Sequence, residues 1–312
     1  VYKDNDRYFW QPFSNQIDSY KKEQNLYKNS LGNKIVFEEI NYNLGLTFLY
    51  SWQASDQYGF IKKTKLINHG ENELNIKLID GLRNILPAGI ELRTQQEMSN
   101  LANAYKVSEC NPDYNYTLYY MNALLMDKPD PGESLYSNIV WSYSKEHIEL
   151  SVNEKAISNF LINNNFKKDY LLKGKEGSFL NYIEKILSPD DEICWYIIAD
   201  VQKSQLDISN IIMDLKDYST IGKKLEKSVE ANYDAFEKYI GMADGYQCTS
   251  LDINDLHHTA NVTYNVLRGG ICYDNYNIQK NSFLAFLKNR NKKIAEKYIY
   301  DLDKLPSIIS IK

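Results

Sequence analysis

Residues 46–79 read LTFLYSWQASDQYGFIKKTKLINHGENELNIKLI. Leu46, Phe48, Tyr50 and Trp52 share one parity, with Thr47, Leu49 and Ser51 on the other, which is the period of two of a strand packed on one face. Phe60 to Asn68 reads as the next strand. HGEN follows, where Gly70 can take a positive φ, and the turn leads into a third strand from Leu74 to Ile79. Strands joined by short polar turns, with no long helix pattern between them, favour a sandwich over repeated β-α-β units.

Working outward, Ile35 to Ile40 is the first regular strand, and residues 1–33 read as an edge segment in which Pro12 opposes a central strand. DGLRNILPAGI, residues 80–90, carries Gly81, Pro87 and Gly89 and predicts a loop with a short helical turn. Thr94 to Lys106 has Met98, Leu101, Ala102 and Tyr105 at helical spacing. A strand at Tyr116 to Ala123 and an extended loop at MDKPDPGES, residues 126–134, come next. Leu135, Ser137, Ile139, Trp141 and Tyr143 alternate cleanly, and Ile148, Leu150 and Val152 are expected to form a hairpin with them. After a mixed stretch over 153–192, CWYIIADV at 194–201 reads as the last strand, buried on both sides.

Helical periodicity then takes over. Asp207 to Tyr218 places Ile208, Ile211, Ile212 and Leu215 together, and Leu225, Val229, Asn232, Phe236, Tyr239 and Ile240 form a second stripe with Asn232 as a satisfied core amide. A third pattern spans Ser282 to Ile299, with Ser282 as its cap. The fold class expected is mainly β: a β-supersandwich domain over residues 1–201, followed over 202–312 by an α-helical linker or the start of a helical barrel.

Composition narrows the function classes. A net charge of -5 over 312 residues gives no support for nucleic-acid binding, and pairs such as Lys62-Lys63 and Lys292-Lys293 read as solvated faces. No apolar run approaches the roughly 20 residues of a membrane span, so no membrane partner is expected. The 26 Tyr, 11 Phe and 4 Trp suit both sandwich cores and stacking on sugars. Cys110, Cys194, Cys248 and Cys272 are scattered like incidental thiols, and His69 and His147 are isolated, so no metal and no cofactor is expected.

Polar chemistry is densest between Gly241 and Ile278. Asp244 precedes Gly245 at a helix end and suits either a sugar hydroxyl or turn amides. His257 and Asn261, four apart, share a helical face, while Asn254, His258 and Asn265 lie near the neighbouring face. Arg268 before Gly269 and Gly270 offers a rigid donor fork to an anion or to a buried structural salt bridge. Asp244, Gln247, His257, His258, Asn261 and Arg268 are the candidate substrate-binding residues, and no residue is selected as catalytic.

FEEINYNLGLTFLYSWQASDQYGF (37–60), LINHGENELNIKLIDGLRNILPAG (66–89) and MADGYQCTSLDINDLHHTANVTYNVLRGG (242–270) together resemble the N-terminal portion of large bacterial carbohydrate-active proteins, similar to the cellobiose-phosphorylase group and its glycoside-hydrolase relatives. The resemblance implies a β-supersandwich, a helical linker and then an (α/α)6 barrel holding an aspartic acid as general acid. Inorganic phosphate would be the co-substrate in a phosphorylase. It also implies an oligosaccharide ligand, a C-terminal catalytic domain of the same parent chain and a homodimer contact as partners. The helical patterns up to Lys312 are too few for that barrel, so no catalytic acid transfers to a numbered residue. A non-catalytic N-terminal region of a glycan-processing enzyme is the leading expectation. A free-standing carbohydrate-binding or surface-interaction protein, and a complete glycoside hydrolase with remote paired carboxylates, stand beside it.

Overall fold

The computed structural model describes residues 1–3, 6–14, 20–123, 134–269 and 277–310. The chain divides into two compact units, Val1–Asn232 and Tyr233–Lys312. The first begins with β1 (Tyr2–Lys3), β2 (Asp6–Arg7), β3 (Lys22–Lys28), β4 (Ile35–Asn41), β5 (Leu46–Ser55), β6 (Gly59–Asn68) and β7 (Leu74–Ile85). Helices α1 (Leu92–Glu97) and α2 (Ser99–Tyr105) lead to β8 (Lys106–Asn111), β9 (Tyr116–Met121), β10 (Tyr136–Ser144) and β11 (Glu149–Ser151). Then come α3 (Lys155–Asn163), β12 (Leu171–Lys173), β13 (Gly177–Leu187), β14 (Glu192–Ser204), α4 (Gln205–Lys216) and α5 (Tyr218–Met242), within which the unit boundary falls.

Nine strands make one antiparallel sheet in the order β12-β8-β9-β10-β14-β6-β5-β4-β3, and five make a smaller one, β11-β13-β7-β1-β2. Among the described residues neither closes into a barrel. Strand β14 shows why the layers stack as they do. Ile193, Trp195 and Ile197 join Leu46, Leu66, Ile76 and Ile183 in the core between the sheets. Their neighbours Tyr196 and Ile198 face the other way, into a second core with Ile211 and Leu215 of α4 and Ile221 and Leu225 of α5. Period-two alternation with both parities apolar therefore buries the strand on both faces, as the run at 194–201 predicts. The smaller sheet is backed by α3, whose Ala156 packs with Phe166 and Leu180.

The second unit holds the end of α5, α6 (Asp252–Leu267), β15 (Asn277–Gln279), α7 (Lys280–Arg290), α8 (Lys292–Lys297), α9 (Ile299–Asp303) and β16 (Ile308–Ser310), with β15 and β16 paired antiparallel. A large antiparallel sheet followed by a run of helices is thus the fold class.

Several local expectations are corrected. Residues 80–85 continue β7 instead of looping, because β13 lies so close that a Cβ on Gly81 would stand 2.0 Å from the Phe179 carbonyl oxygen. That glycine marks close backbone approach inside a strand. Strands β10 and β11 do not form a hairpin: β10 pairs with β9 and β14, while β11 crosses to the other sheet and pairs with β13. Alternation reports a strand's two faces and is silent on which sheet receives it. The 94–106 helix breaks at Met98 and ends before Lys106, which opens β8. The 282–299 helix starts at Lys280, with Gln279 and not Ser282 at its N-cap position, and breaks at Asn291, whose side chain accepts from the Ile294 amide and starts α8. The mixed stretch over 153–192 contains α3, β12 and β13, which carry no clean period in the sequence. Residues 126–133 of the expected loop lie outside the described residues.

Candidate functional site

A cleft of about 680 Å³ opens where the inner face of the large sheet meets β7 and residues 7–13. One wall is the alternating face of β5, since Leu46, Phe48, Tyr50 and Trp52 all line it. Cross-strand register places Trp52 opposite Lys62 and Phe48 opposite Leu66. Next to β5 in the same sheet, β4 sets Phe37 opposite Tyr50, where it stacks with centroids 4.9 Å apart, and Phe13 meets Tyr50 edge-on at 5.5 Å. Trp10 and Trp195 each approach Phe48, at 6.4 and 6.3 Å.

The segment carrying Trp10 and Phe13 is held by a single buried carboxylate. Glu39 accepts from Trp10 Nε1 at 2.7 Å, from the Phe13 amide at 2.8 Å and from Gln24 Nε2 at 2.6 Å. Three donors compensate the desolvation of a charge that is otherwise costly to bury. This bonding turns a segment without regular structure into a wall of the cleft.

A second charged group sits in the wall itself. Lys62 Nζ lies 2.5 Å from Asp80 Oδ1, with side chains only 9% and 13% exposed, and 5.0 Å from the Tyr50 ring centroid. Trp195 Nε1 donates to Asp80 Oδ2 at 2.8 Å. Expected to lie on a solvated face, Lys62 is buried: adjacent strand residues point to opposite faces, and only Lys63 turns outward, to Glu226. Burial, and after it the charge of Asp80, raises the Tyr50 hydroxyl above its ordinary pKa. Among the described residues no group hydrogen-bonds that hydroxyl, which leaves it open to a ligand.

The candidates from residues 241–268 are arranged differently. Asp244 has φ 58° and occupies the residue after the C-cap of α5. The Gly245 amide donates to Ile240 O at 2.8 Å and the Asp244 amide to Gly241 O at 3.1 Å, the paired bonds of a Schellman ending. A Cβ on Gly245 would stand 2.3 Å from Ile240 Cγ2. His258 Nε2 lies 2.7 Å from the Asp244 carbonyl oxygen, Thr259 Oγ1 donates to Gly245 O at 2.8 Å, and Asp255 accepts the Thr249 amide at 3.0 Å. These polar groups thus tie α6 to the end of α5. Gln247, His257, Asn261 and Arg268 are exposed. Arg268 lies 5.3 Å from the Tyr264 ring centroid and, among the described residues, makes no salt bridge; Gly269 takes φ 91°, and Gly270 lies outside the described residues. Asp244 and His258 are therefore brought together through backbone, and none of the six candidates lines the cleft.

The cleft residues were reachable in part from the sequence, since Phe48, Tyr50 and Trp52 sit on one parity of a clear strand. Lys62 and Asp80 carried no such signal, because their pairing depends on two strands from different sheets. Among the described residues no group of three or more His, Cys, Asp or Glu is placed to hold a metal ion, and no helix is long and apolar enough to cross a membrane. Cys110, Cys194 and Cys248 are free thiols, and Cys272 lies outside the described residues.

No family model and no curated protein matches the sequence. Solved structures of carbohydrate-active enzymes resemble the chain distantly. A structure of heparinase III is 13% identical with a TM-score of 0.30 and covers 60% of this chain and 22% of its own. A bacterial glucoamylase complexed with acarbose is 11% identical at a TM-score of 0.41, covering 77% and 31%. The family GH92 inverting mannosidase from Bacteroides thetaiotaomicron is 8% identical at 0.28, covering 66% and 22%. The chain spans between 22% and 31% of the length of these structures. At these scores the likeness carries no argument about function, which rests on the chain's own geometry.

Proposed function

We propose that this chain is an N-terminal, non-catalytic part of a glycan-processing enzyme and that the cleft between its sheets binds an oligosaccharide. The observation that carries the reading is the cleft's wall, in which Phe48, Tyr50 and Trp52 stand in a row beside the locked Lys62–Asp80 pair. The carbon-bound hydrogens of a sugar ring pack on aromatic faces, and its hydroxyls need a few fixed polar groups. A volume of about 680 Å³ falls within the range of small-molecule sites. The Tyr50 ring, packed on Phe37 and Phe13, and the Asp80 carboxylate, bonded to Lys62 and Trp195, are held before any ligand arrives, which lowers the ordering cost of binding.

Asp80 is the carboxylate among the described lining residues, whereas glycoside hydrolysis uses two flanking the scissile bond. This supports placing the chemistry on a C-terminal catalytic domain of the same parent chain, with inorganic phosphate as co-substrate if that domain is a phosphorylase. The surface of α6 supports such a continuation, because Ile253, Leu256, Tyr264 and Leu267 follow helical spacing and are 57% to 69% exposed. Helices of the parent chain would cover that stripe.

Titration calorimetry with a panel of neutral and acidic oligosaccharides tests the binding reading. Tyr50→Ala and Trp52→Phe are expected to weaken binding by about tenfold and about threefold respectively, on the scale of lost aromatic contacts. Wild-type affinity retained by a folded Tyr50→Ala protein, or no binding by the wild type across the panel, overturns it.

A further inference from the structure

Resting on that reading, we infer that the oligosaccharide taken by the cleft is a carboxylated one, and that Arg7 receives its carboxylate. Among the described residues the cleft is lined by four cationic side chains, Arg7, Lys62, Lys77 and Arg83, and by one carboxylate, that of Asp80. Three of the four already have carboxylates of their own: Lys62 pairs with Asp80, Lys77 with Glu184 and Arg83 with Glu154.

Arg7 differs from the other three. Its Nη2 donates to Leu161 O of α3 at 3.5 Å, and among the described residues no carboxylate pairs with its guanidinium. The side chain is exposed at the cleft, and among the described residues the Leu161 carbonyl is the one hydrogen-bond acceptor its donor fork meets. A planar fork of this kind binds a carboxylate with two parallel hydrogen bonds, which a neutral hydroxyl cannot match in geometry or charge. The aromatic row would then hold the sugar faces while Arg7 selects the rings that carry an acid. A neutral saccharide would leave that cation unused.

The test measures calorimetric affinities for neutral and uronate tetrasaccharides in matched β-1,4 and α-1,4 series. Inorganic phosphate is the competing anion, and wild type is compared with Arg7→Gln. Wild type is expected to bind the uronate of one series about tenfold more tightly than its neutral partner. High salt and Arg7→Gln should each shrink that advantage by weakening the uronate more than its neutral partner. Equal affinity for the two members of a series overturns this inference and leaves saccharide binding intact. A uronate preference that survives Arg7→Gln also overturns it, as does displacement of the uronate by phosphate at equal concentration, which would make the site one for the free anion. Absence of binding by every tetrasaccharide overturns both this inference and the reading on which it rests.

Discussion

The cleft between the sheets and the segment from Gly241 to Arg268 are both rich in polar and aromatic side chains, yet they use them in opposite directions. In the cleft, groups far apart in sequence converge: Lys62 and Asp80 are 18 residues apart, and Trp195 reaches Asp80 across 115. In the second segment the bonds are short in range. His258 and Thr259 reach back 14 residues to the turn they close, and Asp255 reaches 6. A dense run of polar residues along one chain segment is well suited to satisfying its own turn and helix ends, which leave backbone groups without partners. A site needs side chains from several elements aimed at one volume.

The largest test of that contrast is Asp80→Ala. Removing the carboxylate leaves Lys62 charged and buried, an expected loss of about 3–5 kcal/mol in urea unfolding. The double variant Lys62→Met with Asp80→Leu should recover most of it, because no charge is then stranded. A loss below about 1 kcal/mol for Asp80→Ala would place the pair among solvated ion pairs and remove the contrast.

At Asp244 the expectation is smaller and its sign depends on the replacement. A residue with a Cβ is disfavoured at positive φ, and Asp tolerates it better than Ala. Asp244→Ala should cost about 1 kcal/mol, while Asp244→Gly should be neutral or stabilising by a few tenths, at about 0.3 kcal/mol. Both variants should keep wild-type oligosaccharide affinity. Lost affinity in Asp244→Gly would return this residue to the binding site.

The smallest effect concerns acid. The hydrogen bond from buried Lys106 lowers the Glu176 carboxyl below its ordinary value. Its contribution is therefore present above the unfolded carboxylate pKa and is lost as pH falls through the lowered folded one. Stability of the first unit, followed by its urea midpoint against pH, should decline through that window. Glu176→Gln should lower the midpoint at neutral pH and make the decline shallower. An unchanged slope would show that the pair is not coupled to folding.

Much of the first unit was legible in its residues. The strand faces at 46–52, 60–68, 136–144 and 194–201 follow from alternation alone, because a pleated chain sends successive side chains to opposite sides. The helical stripe of α5 is equally local, and Asn232, expected in the core, is half-buried at its edge and donates to the Ala54 carbonyl oxygen at 3.1 Å. Gly81 misled for a physical reason, since the same lack of a Cβ serves a turn and a crowded strand crossing. Asn291 is the converse: its preference for a helix start outweighs the apolar spacing around it.

By itself, then, the sequence determined the strands at 46–52, 60–68, 136–144 and 194–201, their apolar parities and the stripe of α5, because those depend on neighbours within a few residues. Only the tertiary structure decided that β11 leaves its sequence neighbour β10 for the other sheet, that Lys62 faces inward onto Asp80, and that Glu39 gathers Trp10 and Phe13 into a wall. Each of those rests on partners from distant strands, and the free energy that selects them comes from filling one shared core and satisfying the charges left inside it.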